Sequence, residues 1–99
     1  MGTDDVIAKL VEVHREYQDA GGFDDGERVT IDARPLADLK GFESDFIPEI
    51  IRRVARELGC PIPKGVRVRN IYVEKGRKLT IREIARKLIE KHARKECKV

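Results

Sequence analysis

Tryptophan is absent from this 99-residue chain, and phenylalanine and tyrosine together supply only five residues. A core with so few rings must be built from Ile, Leu, Val and Ala, which pack helices through aliphatic stripes. Two cysteines, Cys60 and Cys97, are too few for a disulfide scaffold, and with His92 they match no familiar zinc spacing. No run approaches 18 apolar residues, which excludes a membrane-spanning helix. The start, Met1-Gly2-Thr3-Asp4-Asp5, lacks the basic and apolar segments of a secretory signal. Nucleophiles are equally scarce. Ser44 is the one serine, and the two histidines, His14 and His92, fall on apolar helical stripes where histidine is usually packed. There is no glycine-rich phosphate loop and no dinucleotide fingerprint. The acidic pairs Asp4-Asp5 and Asp24-Asp25 read as solvated. These absences predict a cytoplasmic, monomeric, single-domain protein over residues 1–99 that is not an autonomous enzyme.

What is abundant is charge, and it is unevenly placed. Residues 1–49 carry a balance of −8 and residues 50–99 a balance of +11, which the net +3 conceals. Either the two halves neutralise each other within one fold, or a basic surface meets an anionic partner. A nucleic-acid module would use Arg52, Arg53, Arg56, Arg67, Arg69, Arg77 and Lys78. Against it, Tyr72 is the one aromatic of the basic half, so a base-stacking platform is missing. Leu79–His92 resembles the first helix of a helix-turn-helix, but no turn and no recognition helix follow.

Three segments have helical periodicity. The first covers about 4–18, with Val6, Ile7, Leu10, Val11, His14 and Tyr17 on one stripe, and ends at Gly21-Gly22. The second covers about 45–58, with Ile47, Ile50, Ile51, Val54 and Leu58 inward and Arg52, Arg53 and Arg56 outward; Gly59 stops it and Pro61 and Pro63 forbid continuation. The third covers about 81–95, with Ile81, Ile84, Ala85, Leu88, Ile89 and His92 inward, and Thr80 and Glu83 have the spacing of a capping box at its start. Val29, Ile31, Leu36, Leu39 and Phe42 are expected to pin the long connection 19–43 over the bundle. Residues 66–73 read as a strand that Lys75-Gly76 turns back along 77–79, with an irregular segment as the competing reading. The fold class is mainly α: a small three- or four-helix bundle, with a short hairpin or irregular segment at 66–79.

Ser44 stands where the long connection meets the second helix. Serine is a favoured N-cap, Asp45 suits the first turn, and on local evidence capping is the better account. The wider context alters the balance. Gly41, Glu43 and Ser44 are followed by Glu49-Ile50 and then by Ile62-Pro63, with Asp38-Leu39 upstream and Leu79-Thr80-Ile81 downstream. In this order and spacing the run 35–63 resembles the acyl carrier protein family, whose second helix opens with Gly-x-Asp-Ser-Leu, reads Val-Glu-Leu at its middle and is followed by Ile-Pro. The register holds without a gap from Ser44 to Pro63, and Lys40 is one extra residue before Gly41. The likeness covers most of residues 35–92.

The resemblance implies a helical bundle of acyl-carrier type. It implies that Ser44 carries a 4′-phosphopantetheine arm, transferred from coenzyme A by a phosphopantetheinyl transferase. The arm would hold acyl groups as thioesters for acyl-loading and acyl-transfer enzymes. Gly41, Glu43, Asp45, Glu49, Arg52, Arg53 and Arg56 would then meet partners, and Ile47, Ile51, Val54 and Ile84 would line the acyl chain. Three departures from the family's pattern are visible. Asp45 replaces the leucine after the serine, Pro48 replaces the valine before Glu49, and Arg52, Arg53 and Arg56 stand on a helix that is acidic in the family. They point to a specialised carrier outside housekeeping fatty-acid synthesis. A carrier fold used only for docking, without the arm, is the third reading.

Overall fold

The computed structural model describes residues 2–23, 25–68 and 70–92. It is mainly helical, with one small antiparallel hairpin. Helix α1 (Thr3–Ala20) lies against both α3 (Ile47–Glu57) and α4 (Ile81–His92). A short α2 (Pro35–Asp38) packs on the hairpin of β1 (Val73–Glu74) and β2 (Arg77–Lys78). Val6, Leu10 and Val13 of α1, Ile50, Ile51 and Val54 of α3, and Ile81, Ile84 and Leu88 of α4 are fully buried in one aliphatic cluster. The scarcity of rings is met as the composition requires. Three aromatic side chains, His14, Phe42 and Tyr72, form a small stack within that cluster, with Phe42 parallel to Tyr72 at 5.8 Å.

The helix ends follow local rules. After α1, Phe23 N–H donates to Gln18 and Gly22 N–H to Asp19, and Gly22 takes φ +76°. After α3, Cys60 N–H donates to Ala55 and Gly59 N–H to Arg56, with Gly59 at φ +81°. Both are Schellman closures, which need a residue that tolerates the left-handed region. The capping box at α4 is formed: Thr80 N–H donates to Glu83 Oε1 at 3.0 Å and Glu83 N–H to Thr80 Oγ1 at 3.2 Å. That amide, with the Arg77 guanidinium, pulls the Glu83 carboxyl down to about 2. Residues 93–95, expected as the end of this helix, lie outside the described residues.

The hairpin pairs Val73 with Lys78 and Glu74 with Arg77. Its two turn residues, Lys75 and Gly76, have φ of +51° and +78°, the pattern of a type I′ turn. The expected strand over 66–73 is shortened to Val73–Glu74. Past Val73 the partner edge continues only as the Leu79 N–H donating to the Tyr72 carbonyl at 2.8 Å, and the Asn70 side chain already accepts the Tyr72 N–H. A lysine in the left-handed region is strained, whereas asparagine accepts it. Lys75→Asn is therefore expected to raise stability by about 0.5–1 kcal/mol, read as a higher melting temperature. An unchanged or lower melting temperature would refute the strain.

The long connection is pinned largely as expected. Val29, Leu39 and Phe42 are buried and Leu36 packs on the cluster, but Ile31 is 41% exposed. Ile31 contributes its backbone instead: its carbonyl accepts the Arg82 N–H, while Ala33 accepts that of Ile81, so the connection occupies the first turn of α4. Asp25 overturns the expectation of a solvated acid. It is buried, accepting from Gln18 Nε2 at 2.7 Å and from the Lys40 N–H at 2.7 Å. Gln18 also donates to the Lys40 carbonyl at 2.8 Å. The connection is thereby clasped near both of its ends. The Lys40 amide, then Gln18, hold the Asp25 carboxyl below its usual range. No helix among the described residues is long and apolar enough to cross a membrane.

Candidate functional site

The backbone delivers Ser44 to the surface in steps. Leu39 and Phe42 are buried, and between them Gly41 turns at φ +67° with the Phe23 ring lying where a Cβ would project. Glycine is required there on both counts. Glu43 is extended, and Ser44–Phe46 then form a single 3₁₀ turn that runs into α3. The sequence pattern places the helix start at 45; Ser44–Phe46 instead form the tighter turn, closed by Phe46 N–H to the Glu43 carbonyl and Ile47 N–H to that of Ser44, and α3 begins at Ile47. Pro48 falls in the first turn of α3, where its missing N–H costs no bond.

In this arrangement Ser44 does not cap the helix. Its side chain is exposed and its hydroxyl makes no hydrogen bond among the described residues. The local preference for a capping serine is overridden because Glu43 holds the N-cap position of the 3₁₀ turn and Phe46 that of α3. A free, outward hydroxyl at the start of a helix is open to modification. An anion attached to it meets the positive end of the backbone dipoles.

Along residues 43–49 the charged side chains are all acidic. Glu43, Asp45 and Glu49 are exposed and have no ion-pair partner among the described residues. Phe46, 37% exposed, stands among them, packed edge-on against Phe42 and tilted against Tyr17. Burial, followed by a bond to Glu49, raises the Tyr17 hydroxyl above its usual value.

The arginines of α3 are largely engaged inside the molecule, in contrast to the expected outward display. Arg52 donates to the carbonyls of Val66 at 2.6 Å and, more weakly, Ile62 and Pro63. Arg53 pairs with Glu57 at 2.6 Å and with Glu16 of α1. These two carboxylates, Glu57 first, raise the guanidinium further above its usual value. Arg56 is exposed. Of the other cations of the nucleic-acid reading, Arg77 pairs with Glu83, Arg67 and Lys78 are exposed, and Arg69 lies outside the described residues. Charge balance between the two halves of the chain is only partly direct. Arg53–Glu16 and Arg82–Asp32 join a basic residue of the second half to an acid of the first, while Lys87–Glu74 and Arg77–Glu83 lie within the second half.

A cleft of about 920 Å³ opens beside Ser44. Ser44, Ile47 and Pro48 form one side; Val66, Arg67, Val68 and Asn70 form the other; Lys91 and His92 at the end of α4 complete it. Arg52 holds the second side in place through the Val66 carbonyl. Of the four residues expected to line an acyl chain, Ile47 borders this cleft, whereas Ile51, Val54 and Ile84 are sealed in the core. Arg67 is one of many cations in the sequence, and no motif there marks Asn70 or Lys91 as neighbours of Ser44. Arg67 and Asn70 follow Val66, which Arg52 holds, and Lys91 is brought in by the end of α4; the sequence carries no local signal for either approach.

His14 is remote from this cleft. Its Nδ1–H donates to the Leu10 carbonyl at 2.6 Å and its Nε2 accepts the Tyr72 hydroxyl at 2.9 Å. Burial pushes the imidazole down to about 4 and raises the Tyr72 hydroxyl well above its usual value. A neutral, doubly bonded ring inside the core is a packing element. Cys60 is buried and is not a free thiol; Cys97 lies outside the described residues. No cluster of three or more His, Cys, Asp or Glu among the described residues is placed to hold a metal ion.

No family model, no curated protein and no solved structure matches this chain. The functional reading therefore rests on the residues and their geometry.

Proposed function

We propose that this protein is a carrier that bears a 4′-phosphopantetheine arm on Ser44 and presents acyl groups to partner enzymes. The observation that carries the reading is the Ser44 hydroxyl: exposed, outside any capping role, and beside a cleft. In the attachment step, catalysed by a phosphopantetheinyl transferase, Ser44 Oγ attacks the coenzyme A phosphorus that adjoins pantetheine. An O–P bond forms, the P–O bond to 3′,5′-ADP breaks, and the hydroxyl proton passes to a base on the transferase. The phosphodiester then lies at the positive end of α3. When bound, the arm supplies a thiol that holds acyl groups as thioesters; the chain itself presents and orients.

Glu43, Asp45 and Glu49 around an exposed Phe46 favour partner enzymes with a basic surface and an apolar socket. Arg52 and Arg53, whose charge would oppose such partners, are spent on carbonyls and carboxylates of the chain itself. The test is intact mass after incubation with coenzyme A and a broad-specificity phosphopantetheinyl transferase, followed by peptide mapping. The expected result is a gain of one phosphopantetheine, mapped to Ser44. A folded protein that gains no mass, even at high transferase concentration, overturns the reading.

A further inference from the structure

The cleft beside Ser44 differs in character from the core behind it. Ile51, Val54 and Ile84 are fully buried, and a long apolar chain could enter among them only by displacing close-packed side chains. The cleft lies outside that packing. Ile47, Val66 and Val68 give it apolar walls, while Arg67, Lys91 and the Asn70 amide give it polar groups. Among the described residues no aspartate or glutamate lines it. Arg67 is exposed and has no ion-pair partner among the described residues, and Lys91 makes only a loose 3.8 Å contact with its neighbour Glu90. Two cations on an apolar groove favour a ligand that combines a short methylene chain with a negative end.

We infer that this cleft receives the acyl group carried on the arm, and that this group is short and ends in a carboxylate, as in the half-thioester of a dicarboxylic acid. The inference rests on the carrier reading for how the cargo arrives, but the preference of the cleft is measurable without the arm. The isotope-labelled full chain is titrated by NMR with free S-glutaryl-4′-phosphopantetheine, with its S-pentanoyl counterpart, and with inorganic phosphate. The glutaryl thioester is expected to bind about fivefold more tightly than the pentanoyl one, the effect of roughly one exposed ion pair. The amides of Asn70 and Lys91 should shift with it. Arg67→Gln combined with Lys91→Gln should bring the two thioesters to parity at an unchanged melting temperature.

Equal binding of the two thioesters to the unaltered chain, or no binding of either, overturns the inference. So does complete displacement of the glutaryl thioester by an equal concentration of inorganic phosphate, since the arm's own phosphate would then be the anion that is read. A tighter pentanoyl thioester that shifts Ile51, Val54 and Ile84 would place the cargo in the core and overturn it as well. A chain that takes no arm on Ser44 removes the carrier reading, while the titration still decides the cleft.

Discussion

Ser44→Ala is expected to abolish arm attachment completely while leaving the melting temperature unchanged. The two halves of that result follow from one observation, that the hydroxyl makes no hydrogen bond among the described residues. Removing a serine that capped the helix would cost about 1 kcal/mol, a drop of roughly 5 °C for a domain of this size. Removing one that is merely exposed costs less than about 0.5 kcal/mol. The intact mass of the variant after treatment with transferase and coenzyme A checks the first half, and a thermal melt checks the second. A clear loss of stability in Ser44→Ala would restore the capping role. Retention of the arm in the variant would move the attachment to another hydroxyl and end the assignment to Ser44.

Acidification from pH 7 to pH 4 is expected to remove about 3 kcal/mol of stability through His14 alone. The folded imidazole sits at about 4 because burial disfavours its charged form, whereas the unfolded side chain titrates near 6.5. Between these values the unfolded chain binds the extra proton, so stability is fully present above pH 6.5 and declines as the pH falls towards 4. Below that, the carboxylates held by partners, led by Glu83 at about 2, contribute a second loss. A small domain has roughly 5–15 kcal/mol in total, so the first loss alone is a large fraction. Urea unfolding at several pH values measures it. In His14→Leu the decline between pH 6.5 and 4.5 should be much reduced, against a lower baseline, because the Tyr72 hydroxyl loses its acceptor. A stability that stays level from pH 7 to pH 4.5 in the unaltered chain would refute the neutral, buried histidine.

Local chemistry made the three long helices, their glycine ends, the Thr80–Glu83 box and the Lys75-Gly76 turn legible, since each depends on neighbours within a few residues. The same local logic misled where a distant partner intervenes. Asp25 reads as a solvated acid until Gln18 and the Lys40 amide close on it, and residues 66–71 read as a strand although the short β2 offers them no edge. Arg52 and Arg53 read as an outward basic face until Val66 and Glu16 take them up.

By itself, then, the sequence determined a mainly helical chain with an aliphatic core, and singled out Ser44 as its one serine at the start of the second long helix. Spacing and periodicity carry that information because they act through the backbone within one or two turns. Only the tertiary structure decided that the Ser44 hydroxyl is unengaged, that a cleft with Arg67 and Lys91 lies beside it, and that Ile51, Val54 and Ile84 are closed to it. Those outcomes depend on which segments far apart in the chain come to share a surface. That is settled by packing the whole core at once, with the Arg52 clamp and the Asp25 clasp drawing the connecting segments onto it.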